Sequence, residues 1–115
     1  MTAQEKEYAA WCAEHDVHSF YIWSRWLTVR RQVLMADRYE CTRCKARKKY
    51  TRANTVHHVN HFTARPDLAL EMWYTDPATH EARRNLVSLC HACHEEVHGR
   101  SHGAGGSLTT EERWD

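Results

Sequence analysis

Two cysteines and two of the three histidines in one short segment, residues 90–98, have the spacing of metal ligands. The segment contains few helix-breaking residues and is predicted to be a helix, on which Cys90 and Cys93 lie one turn apart and could bind one ion. His94 and His98 are four residues apart and share a different face. Because His94 directly follows Cys93, its side chain should leave the helix about 100° away from the thiol. One helix could therefore hold a structural metal on one side and offer imidazoles to a second site on another.

A second cysteine pair, Cys41 and Cys44, has the same spacing as Cys90 and Cys93. Two such pairs supply four thiolates, which is the ligand set of a tetrahedral structural zinc ion. The first residues lack the apolar core of a signal peptide and no stretch could span a membrane, so we expect a cytoplasmic protein. In that reducing compartment paired cysteines bind metal more often than they form disulfides. Disulfides or unligated thiols are the alternatives.

The histidines, ten in the whole chain, define a second candidate site beside the cysteines. β-branched residues and alternation around His57 and His58 predict a strand, in which neighbouring side chains point to opposite faces. One of these histidines could then bind a metal ion while the other moves a proton. Alternatively, the histidines add to the zinc site or lie at the surface. The candidates for the second site are His57, His58, Asn85 and His94, with His98 in reserve.

Positive charge is concentrated between Arg25 and Arg52, although the formal net charge of the chain is only +1. That segment contains ten basic residues and two acidic residues. Such a concentration beside a candidate metal site favours a polyanionic partner, and a solvated face is the alternative. The candidate DNA-binding residues are Arg43, Lys45, Arg47, Lys48, Lys49 and Arg52.

The elements that must position these residues follow from capping signals and apolar spacing. Residues 2–36 are predicted to form two helices, the first over residues 2–16 after a capping box that begins at Thr2. The second helix is predicted over residues 20–36, with an apolar stripe that begins at Ile22. The remaining predicted elements are a strand at 55–62, a short helix at 66–70, a loop at 71–84 and a strand at 85–89.

All four glycines of the chain follow His98. We therefore predict a single domain over residues 1–98, with its zinc knuckles and histidine site within residues 39–98, followed by a flexible tail over residues 99–115.

These residues carry a resemblance to the HNH endonuclease family. The pattern Val56-His57-His58-Val59, followed by Asn85-Leu86-Val87-Ser88-Leu89-Cys90 and then by Cys93-His94, is similar to that of small phage-type members with a four-cysteine zinc site. The likeness covers about residues 20–98. It includes the aromatic residues Phe20-Tyr21 in the N-terminal half and the segment Pro66-Asp67-Leu68-Ala69-Leu70.

The resemblance implies an α+β fold with a ββα-metal (His-Me finger) motif, N-terminal helices and a structural zinc site. It implies that His57 and His94 bind a catalytic divalent cation and that His58 is the general base that activates water. Asn85 would hold the connecting loop and orient that base. His98 corresponds to a position that in some members is a further cation ligand or a phosphate contact.

The function implied is a metal-dependent endonuclease that hydrolyses phosphodiester bonds in DNA and binds it mainly through phosphates. Besides structural Zn²⁺, it would use Mg²⁺, Mn²⁺, Ni²⁺ or a similar ion, and imidazole ligands favour a transition ion over magnesium. Small phage enzymes of this kind are often associated with genome packaging beside a terminase, which would place this one in the host cytoplasm. The rival interpretation is a non-catalytic zinc module that binds nucleic acid or another protein.

One departure from the family lies between Leu70 and Asn85, where the connection is longer than the short link common in this type. It contains Met72, Trp73 and Tyr74. Two roles are open for it: an insertion whose aromatic rings stack on bases, or a segment that packs on the core.

Overall fold

The computed structural model describes the backbone of residues 1–102 and the side chains of residues 1–98. Within these residues the chain forms helices, two small antiparallel sheets and a short 3-10 helix. The helices are α1 (Ala3–His15), α2 (Val17–Tyr21), α3 (Ser24–Ala36), α4 (Thr42–Ala46), the 3-10 helix (Pro66–Leu68) and α5 (His91–His102). The strands are β1 (Thr55–His58), β2 (Trp73–Thr75), β3 (Ala82–Arg84) and β4 (Leu86–Leu89). No helix in this part of the chain is long and apolar enough to cross a membrane.

The capping box predicted for the first helix is present. The Thr2 side chain accepts a hydrogen bond from the backbone N–H of Glu5, and the Glu5 carboxylate accepts one from the backbone N–H of Thr2. The helix ends at His15, and Asp16 then caps α2 by accepting hydrogen bonds from Ser19. Side-chain hydrogen bonds therefore fix the first turns of both α1 and α2.

The single helix predicted over residues 20–36 is wrong, because the chain breaks there into α2 and α3. Trp23 has an extended backbone, with φ −69° and ψ 132°, and occupies the position just before α3 without a side-chain capping hydrogen bond. Ile22, which was expected on the buried stripe, is 57% exposed. The break turns Phe20 inwards, where it packs near Trp26 with a ring-centroid distance of 5.3 Å. Aromatic burial therefore outweighs the helical period at this point.

The hydrophobic core lies between the N-terminal helices and the sheet formed by β1 and β4. These two strands pair antiparallel, with Thr55 opposite Leu89 and His58 opposite Leu86. The strand predicted over residues 55–62 ends at His58, and the following residues form a turn. α5 follows β4 directly, so the chain contains the two-strand and helix unit expected of its α+β fold class.

The segment predicted as a loop over residues 71–84 instead forms a β-hairpin from β2 and β3. Its strands have three residues each, too few to show a period in the sequence. Asp76 organises the turn, since its carboxylate accepts hydrogen bonds from the backbone N–H of Ala78 and the guanidinium of Arg83. Met72 packs on the core, whereas Trp73 is 54% exposed and lies beneath the guanidinium of Arg84.

Asp37, at the end of α3, joins that helix to both small sheets. Its carboxylate accepts hydrogen bonds from Arg84 at 2.9 and 3.2 Å and from the Ser88 hydroxyl at 2.7 Å. Burial raises the pKa of this carboxyl, but the hydrogen bonds from Arg84 and Ser88 outweigh burial, so the pKa lies below its usual value. The ion pair holds Arg84, and with it the neighbouring Asn85, against the core.

The flexible tail predicted over residues 99–115 falls largely outside the described residues. The backbone of α5 continues to His102, and residues 103–115 are not described.

Candidate metal centres

The four paired cysteines meet in one buried cluster. Cys41 and Cys44 lie at the start of α4, and Cys90 and Cys93 lie at the start of α5, with all four sulfurs within 4.8 Å of one another. The Cys44 sulfur is 3.8 Å from that of Cys90 and 3.6 Å from that of Cys93. Tetrahedral zinc with Zn–S bonds of about 2.3 Å places its sulfurs about 3.8 Å apart, whereas a disulfide needs about 2.0 Å. The cluster therefore fits a zinc ion and not a pair of disulfides.

The local backbone favours ionisation of the Cys41 sulfur. The N–H groups of Cys44 and Cys93 point to the sulfurs of Cys41 and Cys90, each at 3.5 Å. Burial raises the pKa of Cys41, but hydrogen bonds from backbone N–H groups outweigh burial and lower that pKa to about 7. Burial and the neighbouring thiols raise the pKa of Cys93 to about 12. Because burial and the neighbouring thiols oppose ionisation of Cys93, a bound cation is needed for all four sulfurs to be thiolates at once.

Three imidazoles form a second cluster on the other side of α5. His57 comes from β1, and His94 and His98 come from α5, with one nitrogen of each ring within 4.8 Å of the other two. Ring centroids are 4.5 Å apart for His94 and His98 and 5.0 Å apart for His57 and His98. His94 and His98 are buried, and His57 is half-buried with its Nδ1 atom inside the fold. Metal–nitrogen bonds of about 2.1 Å place three donors roughly 3.0–3.6 Å apart around one ion, so the three nitrogens can bind one ion by moving closer together.

His58 lies on the opposite face of β1, as strand alternation predicts. Its ring is fully buried and stacks on Trp26 with a centroid distance of 4.7 Å. Its Nε2 atom is 3.0 Å from the backbone carbonyl of Ala69. A carbonyl can only accept, so Nε2 carries a proton, and the neutral tautomer compatible with this contact has its lone pair on Nδ1. The structure thus brings His57, but not His58, into the imidazole cluster.

Asn85 is fully buried and uses its whole side-chain amide to hold two loops together. Its Nδ2 atom donates to the backbone carbonyls of Leu68 and Glu71, at 2.8 and 2.9 Å. Its Oδ1 atom accepts from the backbone and side chain of Asn60, at 3.1 and 2.8 Å. An amide engaged in this way cannot also bind a metal ion. Its bond to the carbonyl of Leu68 anchors the residue next to Ala69, whose own carbonyl contacts His58.

Another histidine, His61, borders the imidazole cluster and was missed in the sequence. Its ring centroid lies 5.8 Å from that of His98 and 6.4 Å from that of His57, and its side chain is exposed. Strand alternation could not have indicated this position, because β1 ends at His58 and a turn brings His61 back toward His57.

The predicted DNA-binding residues differ in their surroundings. Arg43 and Arg47 both form ion pairs with Glu96, at 3.1 and 3.3 Å, and thereby join α4 to α5. Lys48 and Lys49 are exposed, and neither forms an ion pair with another described residue. Of the other two predicted residues, Lys45 pairs with Glu40 and Arg52 lies over the ring of Tyr39.

No protein-family model matches the sequence, and a search of curated proteins finds no match. Among solved structures, the chain is similar to the HNH endonuclease of the deep-sea thermophilic bacteriophage GVE2, crystallised with a manganese ion. The two are 31% identical, and the match has a TM-score of 0.63 and covers 84% of this chain and 92% of the phage protein. The likeness therefore extends over nearly the whole described domain.

Replacement of Cys41 by Ser should remove the bound zinc and lower the unfolding temperature by about 10 °C or more, because the cluster then has three thiolates instead of four. Metal analysis and thermal unfolding of the purified protein measure both effects. Cys12→Ala is the matched control, since Cys12 is buried but lies outside the cluster. Wild-type protein that folds normally without zinc would contradict the assignment.

Proposed function

Since the chain belongs to the HNH endonuclease family, we propose that it is a metal-dependent endonuclease that hydrolyses phosphodiester bonds in DNA. The observation that carries this proposal is the cluster of three imidazoles between β1 and α5. The zinc cluster alone would serve a binding module equally well. Three histidines that can hold a second ion have no purpose in such a module, and they favour the enzyme over that rival.

His57, His94 and His98 would hold the catalytic cation. Three protein ligands leave positions open for water and a phosphate oxygen, and a bound cation neutralises charge on the phosphate and its leaving oxygen. Imidazole nitrogen suits manganese, nickel and similar ions better than magnesium, which prefers oxygen. The manganese in the related phage enzyme supports this choice.

We assign the general base to His58, through its Nδ1 atom. The Ala69 carbonyl fixes the proton on Nε2, and Trp26 holds the plane of the ring. Asn85 is the positioning residue, because it anchors the backbone beside Ala69. His58 is fully buried, so this role requires a water molecule to reach Nδ1 inside the fold. That requirement makes His58 the residue whose replacement is most informative.

DNA would bind mainly through its phosphates. Lys48 and Lys49 are the best placed of the basic residues, since Arg43 and Arg47 would first have to leave Glu96. Likeness to a phage enzyme supports a phage-type protein that acts in the host cytoplasm, and a terminase is a proposed partner in genome packaging.

The decisive experiment measures nicking of a supercoiled plasmid with added Mn²⁺, Ni²⁺ or Mg²⁺. We expect cleavage by the wild type, and a loss of roughly 10²–10⁴-fold in His58→Ala, the usual worth of a positioned base. His94→Ala should also lose activity, but high metal should partly restore it because its defect is in cation binding. His91→Ala is the control, as His91 is an exposed residue of the same helix.

Two results would contradict these assignments. Equal rescue of His58→Ala and His94→Ala by metal would make His58 a ligand. A folded, zinc-loaded wild type that cleaves nothing with any of these cations would support the binding module instead.

The two lysines can be tested through the salt dependence of DNA binding. Replacement of Lys48 and Lys49 by Gln should weaken binding and reduce the log–log salt slope by roughly 2, because two fewer counterions are released. Replacement of Arg43 and Arg47 by Gln removes the same charge but should change the slope less, since Glu96 already pairs with both. Fluorescence anisotropy with a short duplex measures both slopes. An unchanged slope in the lysine variant would make this segment only a solvated face.

A further inference from the structure

His61 is an exposed neighbour of the imidazole cluster. His61 lies 5.8 Å from His98 and 6.4 Å from His57 between ring centroids, and it is exposed whereas His94 and His98 are buried. It therefore marks a side from which solvent, and hence a polyanion, can reach the cluster.

The backbone around His61 is anchored on both sides. Its carbonyl accepts hydrogen bonds from the N–H groups of Ala64 and Arg65, at 3.0 and 2.8 Å. The preceding residue, Asn60, is held by Asn85. The following residue, Phe62, is buried in the aromatic core. An exposed imidazole is thus presented from a fixed position, which is what recognition of a substrate group requires.

We infer that His61 donates a hydrogen bond to a phosphate oxygen of the bound DNA and helps to position the scissile phosphodiester. This inference rests on the proposed endonuclease function. Phosphate oxygens accept hydrogen bonds, and an imidazole N–H can donate one. Among the described residues, the nitrogens that gather within 4.8 Å are those of His57, His94 and His98, so His61 lies outside the ligand set. It touches the substrate rather than the cation.

The test uses the full-length, zinc-loaded protein and three measurements. His61→Ala should weaken binding of a short DNA duplex, measured without added divalent cation, by about 10-fold or more, which is the worth of one hydrogen bond to a charged group. The value of kcat/KM for plasmid nicking should fall by a similar factor. Binding of Mn²⁺ in the absence of DNA, measured by calorimetry, should be unchanged. His61→Gln keeps an N–H donor and should recover most of the loss, and His15→Ala, an exposed histidine on α1, is the control.

Four results would overturn this role for His61. Weaker Mn²⁺ binding in His61→Ala would make it a metal ligand. A loss in kcat alone, with unchanged DNA binding and no recovery in His61→Gln, would make it a proton-transfer group. If His61→Ala cleaved DNA as well as the wild type, His61 would have no role in substrate binding, and the endonuclease proposal would remain intact. A wild type that neither binds nor cleaves DNA would overturn the inference and the proposed function together.

Discussion

The meeting of four buried cysteines is the constraint on which the rest of this small domain depends. It joins the Cys41–Cys44 pair at the start of α4 to the start of α5, two segments far apart in the chain. Because His94 and His98 lie on the same helix as Cys90 and Cys93, whatever fixes the sulfurs also fixes the imidazoles. Glu96 adds a second bond between the two segments through Arg43 and Arg47. The proposed structural zinc and the proposed catalytic cation would therefore share one helix without sharing a ligand.

The second organising feature is the division of β1 into two faces. His57 points toward α5, and His58 points into the aromatic core beside Trp26. Asn85 couples the two sides, because its amide ties the turn after β1 to the segment that ends in Ala69. A buried amide with every hydrogen bond satisfied is rigid, so Asn85 restricts the motion of the loops that it joins.

Much of this site could be predicted from the sequence, because ligand chemistry depends on residue type and short-range spacing. Paired cysteines and strand alternation needed no tertiary information. The break at Ile22 and Trp23 depends on aromatic packing across the core, and the hairpin strands are too short to carry a period. Glu96 pairs with Arg43 and Arg47 although it is distant from them in sequence. The sequence alone therefore could not show that part of this positive charge is neutralised. His61 escaped notice because its neighbours His57 and His98 come from different elements.

The three-imidazole site is tested most directly by a crystal structure of the zinc-loaded protein soaked with Mn²⁺, with anomalous scattering used to tell the two metals apart. We predict manganese bound by His57, His94 and His98, with zinc at the four cysteines and no bond from His58 to either ion. Manganese bound elsewhere, or an imidazole cluster that stays empty at saturating Mn²⁺, would contradict the site.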